Sequence, residues 1–330
     1  MPLPLMKFAC PHCLQVLLIA TLLAGSGLAH AERDKALDKA LNTAQAALSA
    51  KDYKKAYSLY LRQSERSGLA QFVVGMFYQE GWGRPRDPAV ACSWFDKAAR
   101  RKVPTAENNW ADCLAQGIGR APDIPAALKW YALAAQHGHL ISSCNAADYY
   151  IQGKGVAQDI QRGIDLCTQV ALASSPPAML RLANYYQQGN FVPQDLPHAR
   201  ALYQEAAALG NPEGQYRLGL MLAQGEGGPA DLQAGAFWLE TAAGAGYIPA
   251  YLPTALLYAK LPVDPDTGVL SPEHLAKAYL WNSAARATVT DAAGRAAIER
   301  LDQMISAVMP PTWQPQLDQQ VAAHLSSHAH

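Results

Sequence analysis

The chain has no excess charge of either sign: 27 lysines and arginines stand against 27 aspartates and glutamates in 330 residues. Such a balance gives no electrostatic case for nucleic acid or for an anionic lipid surface as partner. Long apolar runs are also lacking. Beyond the first 31 residues no segment approaches the run of about 20 apolar residues that crosses a bilayer. Nucleophile signatures are missing, since neither Gly-x-Ser-x-Gly nor Ser-x-x-Lys occurs in the chain. His137, His139, His324, His328 and His330 do not show metal-ligand spacing within one rigid element, the last three being read as tail residues. Asp264-Pro265-Asp266-Thr267-Gly268 resembles the start of a calcium loop but lacks the third acidic position and the closing glutamate, so it reads as a proline-rich turn. No cofactor, no metal and no enzymatic activity are therefore expected. Aromatics are sparse at 8%, and the apolar half of the composition is rich in alanine instead.

What is present is a period. Gly81, Gly117, Gly153, Gly189 and Gly225 recur every 36 residues, and six residues after each stands Asp87, Asp123, Asp159, Asp195 or Asp231. Eleven residues before the glycine lies a small column: Ala70, Ala106, Ser142, Ala178 and Gly214. Thirteen after it lies a bulky one: Trp94, Trp130, Leu166, Leu202 and Trp238. Ala98-Ala99, Ala134-Ala135, Val170-Ala171, Ala206-Ala207 and Ala242-Ala243 close the units. Between these columns apolar residues recur at intervals of three and four, the helical spacing. Each unit therefore reads as helix A, a turn, helix B and a second turn, and strict repetition of one such unit means a stacked array.

The turn chemistry agrees. Gly-x-Gly at 81–83, 117–119, 153–155 and 225–227 supplies residues that tolerate positive φ where helix A stops. The aspartate that follows can accept hydrogen bonds from the free N–H groups at the start of helix B and oppose its dipole. A phosphate cradle is not indicated, because no strand precedes the glycines and no Gly-Lys-Ser/Thr follows.

In its sequence of a small residue, Tyr, Gly-x-Gly, Asp, Ala, Trp-Tyr and Ala-Ala within 36 residues, the unit resembles the Sel1-like repeat, a relative of the tetratricopeptide repeat. The resemblance covers residues 68–246 in five units. It implies an all-α fold, a right-handed α-solenoid of antiparallel helix pairs, and a role as scaffold or adaptor in bacterial envelope, signalling or host-interaction systems. Trp110 stands where unit two should have leucine, and Phe191 replaces the second turn glycine of unit four, leaving an aromatic exposed there. One cysteine-rich branch of the family is associated with binding or hydrolysing penicillin, which makes β-lactam chemistry the alternative. That branch has a cysteine pair in nearly every repeat, whereas this chain has four cysteines after its leader.

The ends of the array need covers. Residues 32–67, with Asp52-Tyr53-Lys54-Lys55-Ala56 and Leu59-Tyr60, read as an amino-terminal cap of the tetratricopeptide type. A degenerate sixth unit occupies 247–290, starting at Ala250 and Tyr258, interrupted around residue 264 and resuming at Ala278-Tyr279-Leu280-Trp281. Helices near 291–308 and 313–325 should cover the last apolar face, followed by a disordered tail at 326–330.

Residues 1–31 read as a cleaved secretory signal: Lys7, an apolar core from Leu14 to Leu23, and Ala29-His30-Ala31 before Glu32. A periplasmic or secreted location follows. Cys10-Pro11-His12-Cys13 spells a redox motif, but it precedes the signal's apolar core and has no βαβ context. Cys92, Cys113, Cys144 and Cys167 remain, and four cysteines allow three connectivities. Cys144 and Cys167 are nearly equidistant from the turn near 156, and Cys92 and Cys113 are symmetric about the connection near 102. Antiparallel helices would set each pair side by side, predicting Cys92–Cys113 and Cys144–Cys167; four buried free thiols are the alternative.

Positions eight, five and one before the turn glycine share one stripe of helix A. They are Asn109, Asp112 and Gln116 in unit two; Asn145, Asp148 and Gln152 in unit three; Arg181, Asn184 and Gln188 in unit four; and Arg217, Leu220 and Gln224 in unit five. With Tyr149 and Tyr185 flanking it, this polar ladder, acidic at one end and basic at the other, is the candidate surface for a protein or peptide partner. The related repeats place helix A on the concave face, where partners bind. A solvated helix face is the competing reading, and a structural part in an envelope polysaccharide or secretion complex would use the same scaffold.

Overall fold

The computed structural model describes residues 35–263, 268 and 270–328. The segment read as a secretory leader, with Cys10-Pro11-His12-Cys13, most of the turn around residue 264, and His330 lie outside the described residues. Sixteen α-helices and no strand occur among the described residues. They fall into two compact units, one ending at Ala173 and one running from Ser174.

The amino-terminal unit holds α1 (Lys35–Ser49), α2 (Tyr53–Gln63), α3 (Gly68–Glu80), α4 (Pro88–Ala99), α5 (Pro104–Gln116), α6 (Ile124–Gln136), α7 (Ile141–Gln152) and α8 (Ile160–Leu172). The carboxy-terminal unit holds α9 (Pro176–Gln188), α10 (Leu196–Ala208), α11 (Pro212–Gln224), α12 (Leu232–Gly244), α13 (Tyr251–Tyr258), α14 (Pro272–Arg286), α15 (Ala292–Ser306) and α16 (Gln314–His328). Within each unit consecutive helices pack as antiparallel pairs and each pair packs on the next, an α-solenoid arrangement, until the carboxy-terminal end, where α15 and α16 each pack on α14.

The periodic residues set the helix ends. Asp87, Asp123, Asp159, Asp195 and Asp231 each accept a hydrogen bond from the backbone N–H three residues on, at 2.9–3.0 Å. Gly81, Gly117, Gly153, Gly189 and Gly225 close helix A in the left-handed region, with φ between 65° and 74°. The second turn glycine has an additional task. A Cβ on Gly227 would lie 2.3 Å from the carbonyl oxygen of Leu196, and one on Gly155 would lie 2.5 Å from Ile124. In both cases the neighbour is the first residue of the preceding repeat's helix B, so this glycine lets successive repeats approach. Phe191 takes its place in the fourth repeat, half turned to solvent, with its ring 6.1 Å from that of Tyr185.

The small column is fully buried in all five repeats. The bulky column is only half-buried; the residues that fill the hairpin cores stand one place later, Phe95, Tyr131, Cys167, Tyr203 and Leu239, each at most 1% exposed. Cys92–Cys113 and Cys144–Cys167 are disulfides, with Cα atoms 5.8 and 4.3 Å apart. The first ties α4 to α5 across a repeat boundary, and the second ties α7 to α8 within one.

In the carboxy-terminal unit the pair α13 and α14 is joined by Lys277, whose ammonium reaches Glu240 at 2.9 Å, Glu273 at 3.0 Å and the Tyr258 hydroxyl at 3.3 Å. The helix α16 closes the unit by burying Leu317 and Val321. It continues through His328, so residues 326–328 are helical and not a disordered tail. Its His324 imidazole sits edge-on to the rings of Tyr251 and Trp281, at 5.5 and 5.2 Å, and burial together with nearby His328 lowers its pKa to about 4.

Candidate functional site

In the amino-terminal unit α5 carries Asn109, Asp112 and Gln116, and α7 carries Asn145, Asp148, Tyr149 and Gln152. Gln116 and Gln152 are exposed, while the deeper stripe positions are half-buried. Asp112 is engaged internally: one carboxylate oxygen accepts from the hydroxyl of Tyr131 on α6, and the other accepts from Asn108 Nδ2 at 3.1 Å. Asn108, 6% exposed, turns its Oδ1 toward the next repeat, where it accepts from Asn145 Nδ2 at 2.8 Å and Ser142 Oγ at 2.9 Å. His139 Nδ1 lies 2.7 Å from Ser142 Oγ. Because the serine proton is committed to Asn108, the imidazole must donate there, fixing its Nδ1–H tautomer. Burial lowers the pKa of His139. Burial, and then the Asp112 charge, raise that of Tyr131, whose ring lies 6.2 Å from that of Tyr149. One turn away Glu107, 1% exposed, is gripped through both oxygens by His137 Nδ1 at 2.8 Å.

The carboxy-terminal unit repeats the device. On α9 lie Arg181, Asn184, Tyr185 and Gln188; on α11 lie Arg217, Leu220 and Gln224. Asn184 Oδ1 accepts from the Tyr203 hydroxyl at 2.6 Å, and Gln187 Oε1 lies 2.9 Å from the same hydroxyl. Burial pushes the Tyr203 pKa up to about 12. Arg217 pairs with Glu213 at 3.6 Å on its own helix. Gln188 and Gln224 are exposed, as their counterparts are in the other unit.

The stripe therefore divides by depth. Asp112, Asn145 and Asn184 have internal partners that hold helices and repeats in register; the glutamines face outward. Sequence reasoning missed Asn108, Tyr131, Tyr203 and Glu107. The signal was a pairing of columns: a Tyr fourteen residues after the glycine goes with Asp112 or Asn184 five before it, whereas Phe95 and Leu239 go with Met76 and Leu220. Repeat three is the exception, with Asp148 opposite Cys167. Among the described residues no helix is long and apolar enough to cross a membrane.

Paired helices stacked on a fixed period, with turn glycines in the left-handed region and a polar stripe on helix A, define a helical-repeat protein of the α-solenoid class. The Sel1 repeat model matches residues 68–103, 104–139, 141–174, 176–211 and 212–247, more than half of the chain, which belongs to the Sel1 repeat family. A Sel1 repeat protein from Oxalobacter formigenes is similar in structure, with a TM-score of 0.60 and 26% identity over 76% of this chain and 100% of that one. A protective antigen of uropathogenic Escherichia coli with an SLR fold is similar at a TM-score of 0.57 and 22% identity, over 86% of this chain and 57% of that one. No curated protein matches the chain. The family is one of scaffolds, in keeping with protein–protein interaction.

Proposed function

We propose that the chain is an exported scaffold of the bacterial cell envelope, periplasmic or secreted, that binds protein or peptide partners through its helix A faces and is not an enzyme. The observation that carries this reading is the set of glutamines closing helix A in four repeats, Gln116 and Gln152 in one unit, Gln188 and Gln224 in the other, all exposed. An amide donates and accepts at once, as does each peptide unit of an extended partner, so side-chain amides repeated in a fixed register suit backbone recognition. Asn109, Asp148, Tyr149, Arg181, Tyr185 and Arg217 would add charge and aromatic contacts on the same stripe. The internal bonds of Asp112, Asn145 and Asn184 support the reading indirectly, since they keep the presenting helices fixed.

Export is supported by the leader pattern of residues 1–31 and by two disulfides that an oxidising compartment sustains. Tagged protein crosslinked mildly in intact cells should retain a defined partner set, and replacing Gln116, Gln152, Gln188 and Gln224 together by Lys should abolish it with helicity unchanged. Capture that survives this change would remove the helix A face from the account. Purified protein should not turn over nitrocefin; turnover would move the assignment to the β-lactam branch.

A further inference from the structure

Among the described residues no group of three or more His, Cys, Asp or Glu side chains could hold a metal. A pair stands out nevertheless, two histidines that the sequence reading counts with the tail. His324 and His328 lie four residues apart on α16, on one face of the helix, with ring centroids 4.5 Å apart. Each ring has one nitrogen tied by hydrogen bonding. His324 Nε2 lies 3.0 Å from the Tyr251 hydroxyl, and His328 Nδ1 lies 2.9 Å from the His324 carbonyl oxygen and 2.9 Å from Ser327 Oγ. A nitrogen bonded to a carbonyl must carry the proton, which leaves the lone pair of His328 on Nε2. If His324 donates to Tyr251, its lone pair is on Nδ1. This is the outer-shell pattern of metal-binding histidines, in which the far N–H is anchored to a hydroxyl or carbonyl so that the near nitrogen is aimed.

The surroundings are built for these rings. Tyr251 is 1% exposed and Trp281 6%, and both hold His324 edge-on. A Cβ on Gly246 would fall 2.3 Å from His328 Cδ2, so the imidazole fits against that backbone only because the residue is glycine. Two imidazole nitrogens at about 2.0–2.1 Å from one ion stand about 3 Å apart, a separation that rings this close can reach. We propose that His324 and His328 form a two-imidazole site for a first-row transition-metal dication of the Zn2+, Ni2+ or Cu2+ class, with water completing the coordination. Imidazole is a preferred ligand for these ions, and Cu2+ should bind most tightly. Bound metal would fasten the last turn of α16 and stabilise the folded carboxy-terminal unit.

The test is calorimetric titration of the full, untagged chain with CuCl2 and with ZnCl2, Cys10 and Cys13 being replaced by Ser to silence the leader motif. One equivalent should bind. His324→Ala and His328→Ala should each weaken it at least 10-fold, Tyr251→Phe should weaken it about 10-fold, and His330→Ala should leave it unchanged. Affinity unaffected by His324→Ala or His328→Ala, or lost with His330→Ala, overturns the site. Electron paramagnetic resonance of the Cu2+-loaded protein with His324 and His328 intact avoids any folding defect of the variants. Two coordinated imidazole nitrogens are expected, and a signal from one or none contradicts the proposal.

Discussion

Asp112→Met combined with Tyr131→Phe transplants the apolar pair of the first repeat, Met76 and Phe95, into the second. Tyr131 is 1% exposed and its hydroxyl donates to Asp112. A hydrogen bond to a charged group contributes about 1.5–3 kcal/mol net, so Tyr131→Phe should cost about that much. Asp112→Met loses the same bond, leaves the buried hydroxyl with Tyr149 alone and takes one acceptor from Asn108, costing about 2–4 kcal/mol. The double variant leaves no Tyr131 hydroxyl to satisfy, while the Asn108 amide loses its Asp112 acceptor and Tyr149 loses its contact with that hydroxyl. Its cost should fall below the sum of the single costs by about 1.5–3 kcal/mol. Because repeat proteins respond locally, the assay is native-state hydrogen exchange of α5 and α6, read as opening free energies for the four corners of the cycle. Additivity within about 0.5 kcal/mol would mean that Asp112 does not serve Tyr131 and that the depth division of the stripe is wrong.

Reducing either disulfide should destabilise its helix pair by about 3 kcal/mol, from closed loops of 21 and 23 residues; guanidinium unfolding with and without reductant, with peptide mapping, reads this. Gly227→Ala should cost about 2–3 kcal/mol in the same assay, because φ is +72° and the Leu196 carbonyl leaves no room; a neutral result would contradict the close approach of repeats four and five. His139 titrates below its ordinary value because it is buried, so the unfolded chain binds the proton first. Its contribution to stability is intact above pH of about 6.5 and is lost as pH falls from there toward the folded pKa. His139→Gln should flatten the stability profile in that window, measured by urea unfolding as a function of pH.

The period, both turn residues and the disulfide pairs were legible in the sequence because each depends on local geometry that recurs. Asp159, for example, caps α8 through a contact only three residues long. The bulky column that the period picks out is not the core column, which stands one residue later. Trp94, Trp130 and Trp238 are the largest side chains, but helix rotation within the pair puts Phe95, Tyr131 and Leu239 inside, and that rotation is set by packing between helices. Asn108 was illegible for the same reason: its partners Asn145 and Ser142 lie in the next repeat, and spacing within a unit does not show which side chain crosses the boundary. The last helix is legible in the sequence, but its final three residues, 326–328, are not. Leu317, Val321 and Leu325 recur every four residues and carry α16 past residue 325, which the polar composition of the last residues obscured.

A photo-crosslinking residue placed singly at Gln116 or Gln152, and as controls at the exposed helix B positions Ser93 and Lys129, tests the scaffold reading most directly in living cells. Discrete adducts to one protein from the glutamine positions, and none from the controls, are what partner binding through helix A predicts. Adducts from the controls alone, or the same pattern from all four positions, would contradict it.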